Sequence, residues 1–80
     1  MMTREEVFEK LTEVFQDVFD DDTIVLSDET TAEDIEDWDS LMHITLISEV
    51  EDAFDVHFSM KAVTGMHNVG EMVDLILEQA

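Results

Sequence analysis

Apolar residues recur at three- and four-residue spacing in three blocks of the chain, and each block predicts a helix. In the first, Thr3 to Phe19, the stripe is Val7, Leu11, Val14, Phe15 and Val18, with Phe8 and Phe19 widening it. Thr3 and Glu6 form a capping box, and the acids of the first turn suit the positive end of the helix dipole. The second block follows Asp39, a good N-cap, and runs from Ser40 to about Phe54. Leu41, Ile44, Ile47, Val50 and Phe54 are its expected inward residues, with Leu46 and Ala53 to the side. A last helix, Val69 to about Glu78, starts behind Asn68 and Glu71 and turns Val69, Met72, Val73, Ile76 and Leu77 inward. Gly70 weakens its first turn slightly.

Between the first two helices, Asp20 to Asp37 sustains no helical stripe and reads as a long loop, anchored by Ile24, Val25, Leu26 and Ile35. Loops of this length are uncommon in so small a domain and often functional. Val56 to Phe58 is a connector, and Ser59 to Thr64 forms one short turn of helix that Gly65 ends. The expected class is all-α: long helix, long loop, helix, short helix, helix, in one domain over residues 1–80.

Charge is the most unusual global property, 22 acids against 3 bases for a formal net of -19. Such a surface repels nucleic acid and anionic lipid and steers toward basic protein partners or cations. Apolar content of 45% in periodic blocks argues against disorder. At 80 residues there is room for one modest core and none for a separate catalytic domain, so an enzyme is disfavoured. Cysteine is absent, which excludes disulfides, zinc-thiolate sites and a thiol nucleophile. Without a signal-like apolar stretch or a run long enough to span a bilayer, the expected location is the cytoplasm.

Chemistry concentrates in DIEDWDSLMH, Asp34 to His43. Ser40 falls just inside a helix start, where unsatisfied amides and the dipole favour an attached anion. His43 lies one turn further on the same face, the spacing of a serine-histidine pair. No third residue orients the imidazole and no Gly-x-Ser-x-Gly elbow surrounds the serine, so His43 reads as an exposed helix histidine. Asp20, Asp21 and Asp22 invite a calcium loop, yet Ile24 and Val25 occupy its fifth and sixth positions, and no metal site is expected.

With those residues in view, Trp38-Asp39-Ser40-Leu41-Met42-His43, opening a helix that ends in an acidic run and Phe54-Asp55-Val56, resembles an acyl carrier protein. The resemblance covers nearly the whole chain: length, helix order, long first loop, acidic balance and the Asn68-Val69 helix start. It implies a four-helix bundle with three main helices and a short third one. By it, Ser40 carries phosphopantetheine, attached from coenzyme A by a phosphopantetheinyl transferase. Asp39 matches the aspartate before that serine, and Leu41 the leucine that anchors the helix in the core. The implied role is that of a carrier, holding acyl groups as thioesters and delivering them to partner enzymes, without catalysis of its own.

Asp37-Trp38 stands where fatty-acid carriers commonly have a small pair, and Met42 and Thr45 fall where they have acids. The Trp-Asp-Ser pattern is more similar to stand-alone carriers of specialised fatty-acid, polyketide or related pathways. Partner-binding candidates are Trp38, Met42, Glu49, Glu51 and Asp52, facing basic docking patches on acyl-loading and acyl-transfer enzymes, with the carrier a monomer. Trp38 is equally a residue of the core edge. Met42, Met60, Met66 and Met72 are candidates for an adaptable acyl pocket, core packing being the simpler use. The rival reading is an acidic helical interaction module, such as a nucleic-acid mimic, with no prosthetic group.

Overall fold

Thr3 opens the first helix, α1 (Arg4–Phe19), with both halves of the capping box formed: its hydroxyl accepts from the Glu6 amide, and the Glu6 carboxylate from the Thr3 amide. The computed structural model describes residues 2–79, which add α2 (Ser40–Phe54), α3 (Met60–Thr64) and α4 (Val69–Gln79), with no strand among the described residues. Neither α1 nor α2 has a glycine to stop it. Each ends instead on an aspartate in the left-handed region, Asp20 at φ 50° and Asp55 at φ 55°. Aspartate is among the few residues that tolerate this conformation. Gly65 does end α3, with an ordinary negative φ of -86°.

The core lies between α1, α2 and α4. Val7, Leu11 and Phe15 on α1, Leu46 and Val50 on α2, and Val69, Met72, Val73 and Ile76 on α4 are sealed from solvent. On α2 the buried face differs from the one expected. Leu46, assigned to the side, is fully buried, whereas Leu41 and Ile44 are 75% and 67% exposed. Helix geometry gives the reason: residues advance by about 100°, so a stripe stepped in threes drifts by about 60° per step. Leu41 and Val50, nine residues apart, therefore lie on opposite sides of α2, and the true inward face is His43, Leu46, Ile47, Val50 and Phe54. Leu41 is not a core anchor.

Several devices hold the long loop down. Ile24 and Trp38 are buried, and Leu26 and Ile35 pack against the core, while Val25 is exposed, against expectation. The Gln16 side-chain amide donates to the carbonyls of Asp22 and Ile24. Buried Thr30 accepts the Ser27 amide on its hydroxyl. Finally, the first amides of α4 donate across to the loop, Val69 to the Thr30 carbonyl at 2.8 Å and Gly70 to the Asp28 carbonyl at 3.0 Å. Gly70 is thus more than a weak helix residue. A Cβ on it would lie 2.9 Å from the Asp28 carbonyl oxygen, so the close approach requires glycine. Arg4 adds an ion pair to Asp28 and a second to Asp74, tying α1, loop and α4 together.

Candidate functional site

The chain enters α2 through Trp38, and the indole fixes where it enters. Its ring meets Phe15 edge-on at 5.2 Å, tilts against Phe19 at 6.4 Å, and is only 8% exposed. Of the two uses weighed for Trp38, the side chain occupies the core one. Asp39 follows as N-cap, extended at φ -114°, its carboxylate accepting the Met42 amide at 2.8 Å and its carbonyl the His43 amide at 2.8 Å. The Asp39 charge is thereby engaged in capping, and the amides of Ser40 and Leu41 are left for solvent or an anion.

Ser40 stands exposed at this helix start. The other three serines are differently placed. Ser27 bonds Thr30, Ser59 caps the five-residue α3 through the Ala62 amide, and Ser48 sits in the middle of α2. Only Ser40 combines an exposed hydroxyl with the N-terminus of a long helix.

His43 is half-buried rather than exposed, and both ring nitrogens are used. The Trp38 indole N–H donates to its Nδ1 at 3.1 Å, with the two rings stacked at 5.8 Å, and its Nε2 faces the Val63 carbonyl at 3.4 Å. An indole nitrogen only donates and a carbonyl only accepts, so the imidazole is neutral with its proton on Nε2. The lone pair a general base would need is taken, which removes the serine-histidine reading.

A cleft of ≈ 990 Å³ opens beside Ser40 and runs along α2 toward Glu51, a distance of roughly 16 Å at the helical rise of 1.5 Å per residue. Ile44, Ile47, Phe58, Met60, Val63 and Met66 give it an apolar wall. Of the methionines singled out for a pocket, Met60 and Met66 line this cleft, Met42 packs at the core edge and Met72 is fully in the core. A serine free to be esterified, two free amides for a phosphate, and an adjacent apolar trough fit a phosphopantetheine arm.

Among the remaining candidates, Glu49 and Asp52 are exposed, but Glu51 is half-buried. Its carboxylate accepts the Phe58 amide at 2.9 Å and lies 3.3 Å from the His57 ring, and the Phe58 hydrogen bond above all holds its pKa below the usual carboxylate value. Glu51 ties down the α2–α3 connector. Gln79 braces the same connector, its amide pairing both backbone groups of His57. Asp20 caps α1 and Asp21 accepts from Thr23, and no group of three or more metal-ligating side chains forms among the described residues.

A family model described as a phosphopantetheine attachment site matches residues 9–76. An acyl carrier protein of Streptococcus pyogenes serotype M3 is 36% identical over 74 residues, 92% of this chain and 96% of that protein. The chain belongs to the acyl carrier protein family. One from Streptococcus pneumoniae serotype 4 is 38% identical over the same span. The solution structure of a holo acyl carrier protein from Geobacter metallireducens superposes with a TM-score of 0.86 at 41% identity, covering 91% of this chain and 84% of that one. As an acyl carrier protein the chain has phosphopantetheine as its prosthetic group, and its family deals with a phosphopantetheinyl transferase and acyl-handling enzymes. Acyl carrier proteins are generally not catalysts. The family match does not favour the interaction-module reading, which needs no prosthetic group. No helix among the described residues is long and apolar enough to cross a membrane.

Proposed function

We propose that Ser40 is the residue that carries the arm, and that the chain ferries acyl groups without a catalytic step of its own. The observation that carries this is the setting of its hydroxyl: exposed, on the first turn of α2, beside two unclaimed amides and at the mouth of the cleft. The prosthetic group supplies a thiol, which this cysteine-free chain lacks, and holds cargo as a thioester. Asp39 and Trp38 do the positioning, one by building the helix start and the other by locking the preceding loop into the core. The apolar trough shelters cargo between visits, and tethering raises its effective concentration at each enzyme.

Partners have to reach Ser40, so they meet the surface around it. There, Leu41 and Ile44 are exposed apolar side chains, followed down α2 by exposed Glu49 and Asp52. Partner surfaces then pair an apolar contact near the arm with basic residues further along, as a net charge of -19 favours. The carrier works as a monomer in the cytoplasm, where coenzyme A and its transferase meet it, and serves a specialised acyl pathway. Intact mass before and after incubation with coenzyme A, magnesium and a broad-specificity phosphopantetheinyl transferase tests the reading. A phosphopantetheine gain in the parent and none in Ser40→Ala is expected. A gain that persists in Ser40→Ala would move the site to another residue.

A further inference from the structure

α3 is the weakest-held element of the fold. It has five residues, none of them buried, and a helix that short is not stable by itself. Of its final carbonyls, that of Lys61 takes the Gly65 amide and the Thr64 hydroxyl. The Val63 carbonyl is met instead from α2, by His43 Nε2 at 3.4 Å. That proton is on Nε2 because the Trp38 indole N–H occupies Nδ1 at 3.1 Å. A chain of two hydrogen bonds therefore runs from the core, through His43, to the end of the helix that walls the cleft beside Ser40.

We propose that His43 is the positioning residue of the cleft: it caps α3 across the gap, and the Trp38-His43-Val63 chain sets how far α3 stands from Ser40 and so how well cargo is sheltered. The sheltering half rests on Ser40 carrying the arm; the capping half does not. His43 supplies an acceptor toward Trp38 and a donor toward Val63, on a stacked ring of fixed width. A glutamine has both groups on one amide and reproduces the polarity. A phenylalanine keeps the ring and has neither.

The test uses 15N-labelled protein, unloaded and octanoylated, as parent, His43→Phe and His43→Gln. Amide exchange is read at Val63, Thr64 and Gly65 against amides in the middle of α1, and thioester cleavage by hydroxylamine in the loaded form. His43→Phe is expected to speed α3 exchange about three- to tenfold, the factor a lost hydrogen bond gives. The α1 amides stay as they were, thioester cleavage accelerates in the same direction, and His43→Gln recovers part of both. Unchanged α3 exchange would overturn the capping role, as would an acceleration shared equally by α1. Faster α3 exchange with unchanged thioester cleavage would overturn the control of sheltering. Failure of the parent to gain the phosphopantetheine mass would sink the Ser40 reading and the sheltering role with it, while exchange in the unloaded protein still judges the cap.

Discussion

Gly70→Ala sets two physical terms directly against each other. Alanine is the better helix former by about 1 kcal/mol, and Gly70 is the second residue of α4, so propensity alone predicts a stabler protein. Sterically the sign reverses. The new methyl would sit 2.9 Å from the Asp28 carbonyl oxygen and 3.0 Å from its side-chain Oδ1, and the nearest atom is backbone that cannot swing aside. Overpacking of this kind costs about 1–3 kcal/mol. Moving Asp28 away also stretches the Gly70 and Val69 hydrogen bonds to the loop, each worth about 0.5–1.5 kcal/mol. The costs exceed the gain, and a net loss of about 1–3 kcal/mol is expected, or a fall in Tm of about 4–8 °C per kcal/mol at this size. Gly65→Ala is the control: φ is -86° and the closest contact is 3.2 Å, so the loss should be much smaller. Urea unfolding followed by the fluorescence of Trp38, the only tryptophan, measures both. Gly70→Ala as stable as the parent, with unmoved Asp28–Thr30 resonances, would refute the claim that the loop is seated by this contact.

Glu51 makes a pH prediction: its carboxyl titrates lower when folded, so its stabilisation is complete above the unfolded pKa of about 4.3 and is lost as pH falls through the folded value. The stability gap between parent and Glu51→Gln should therefore narrow in acid, and a gap constant with pH would contradict the Phe58 contact. Leu46→Ala should cost about 2–5 kcal/mol, whereas Leu41→Ala should stay within about 0.5 kcal/mol yet bind the transferase more weakly; equal melting curves for the two would sink the assignment of faces. Added salt or magnesium should raise Tm by screening a net charge of -19, and thermal scans over a salt series check it.

Helix ends were readable because caps are local. Thr3 with Glu6, Asp39 before Ser40, and Asn68 each meet an amide three positions on, so the sequence neighbours carry the whole interaction, whereas Ser59, read as the first residue of the short helix, is its N-cap. What the sequence did not disclose depends on residues far apart. Nothing near Gly70 reports that the Asp28 carbonyl will lie against it, and nothing near His43 reports the Val63 carbonyl that turns an apparently free histidine into a bridge. Burial of Thr30 has the same origin, since its carbonyl serves α4.

The misassigned face of α2 is the more instructive failure. Reading apolar as inward put Leu41 and Ile44 in the core, while the inner stripe takes a histidine at its N-terminal end and Leu46 in place of Leu41. Both apolar sets fit a three- or four-residue spacing, and only the core can choose between them. A helix with apolar residues left over after its inner face is filled has spent hydrophobic surface where folding gains nothing from it. Scattered single exposures need no explanation. Leu41 and Ile44 are one turn apart and start at the residue after Ser40, the proposed attachment point that a partner of the arm would have to approach. Around the proposed attachment serine, then, an apolar side chain that fails to pack is better evidence for an interface than one that does, and the acids that follow it at Glu49 and Asp52 would give such an interface a direction along the helix.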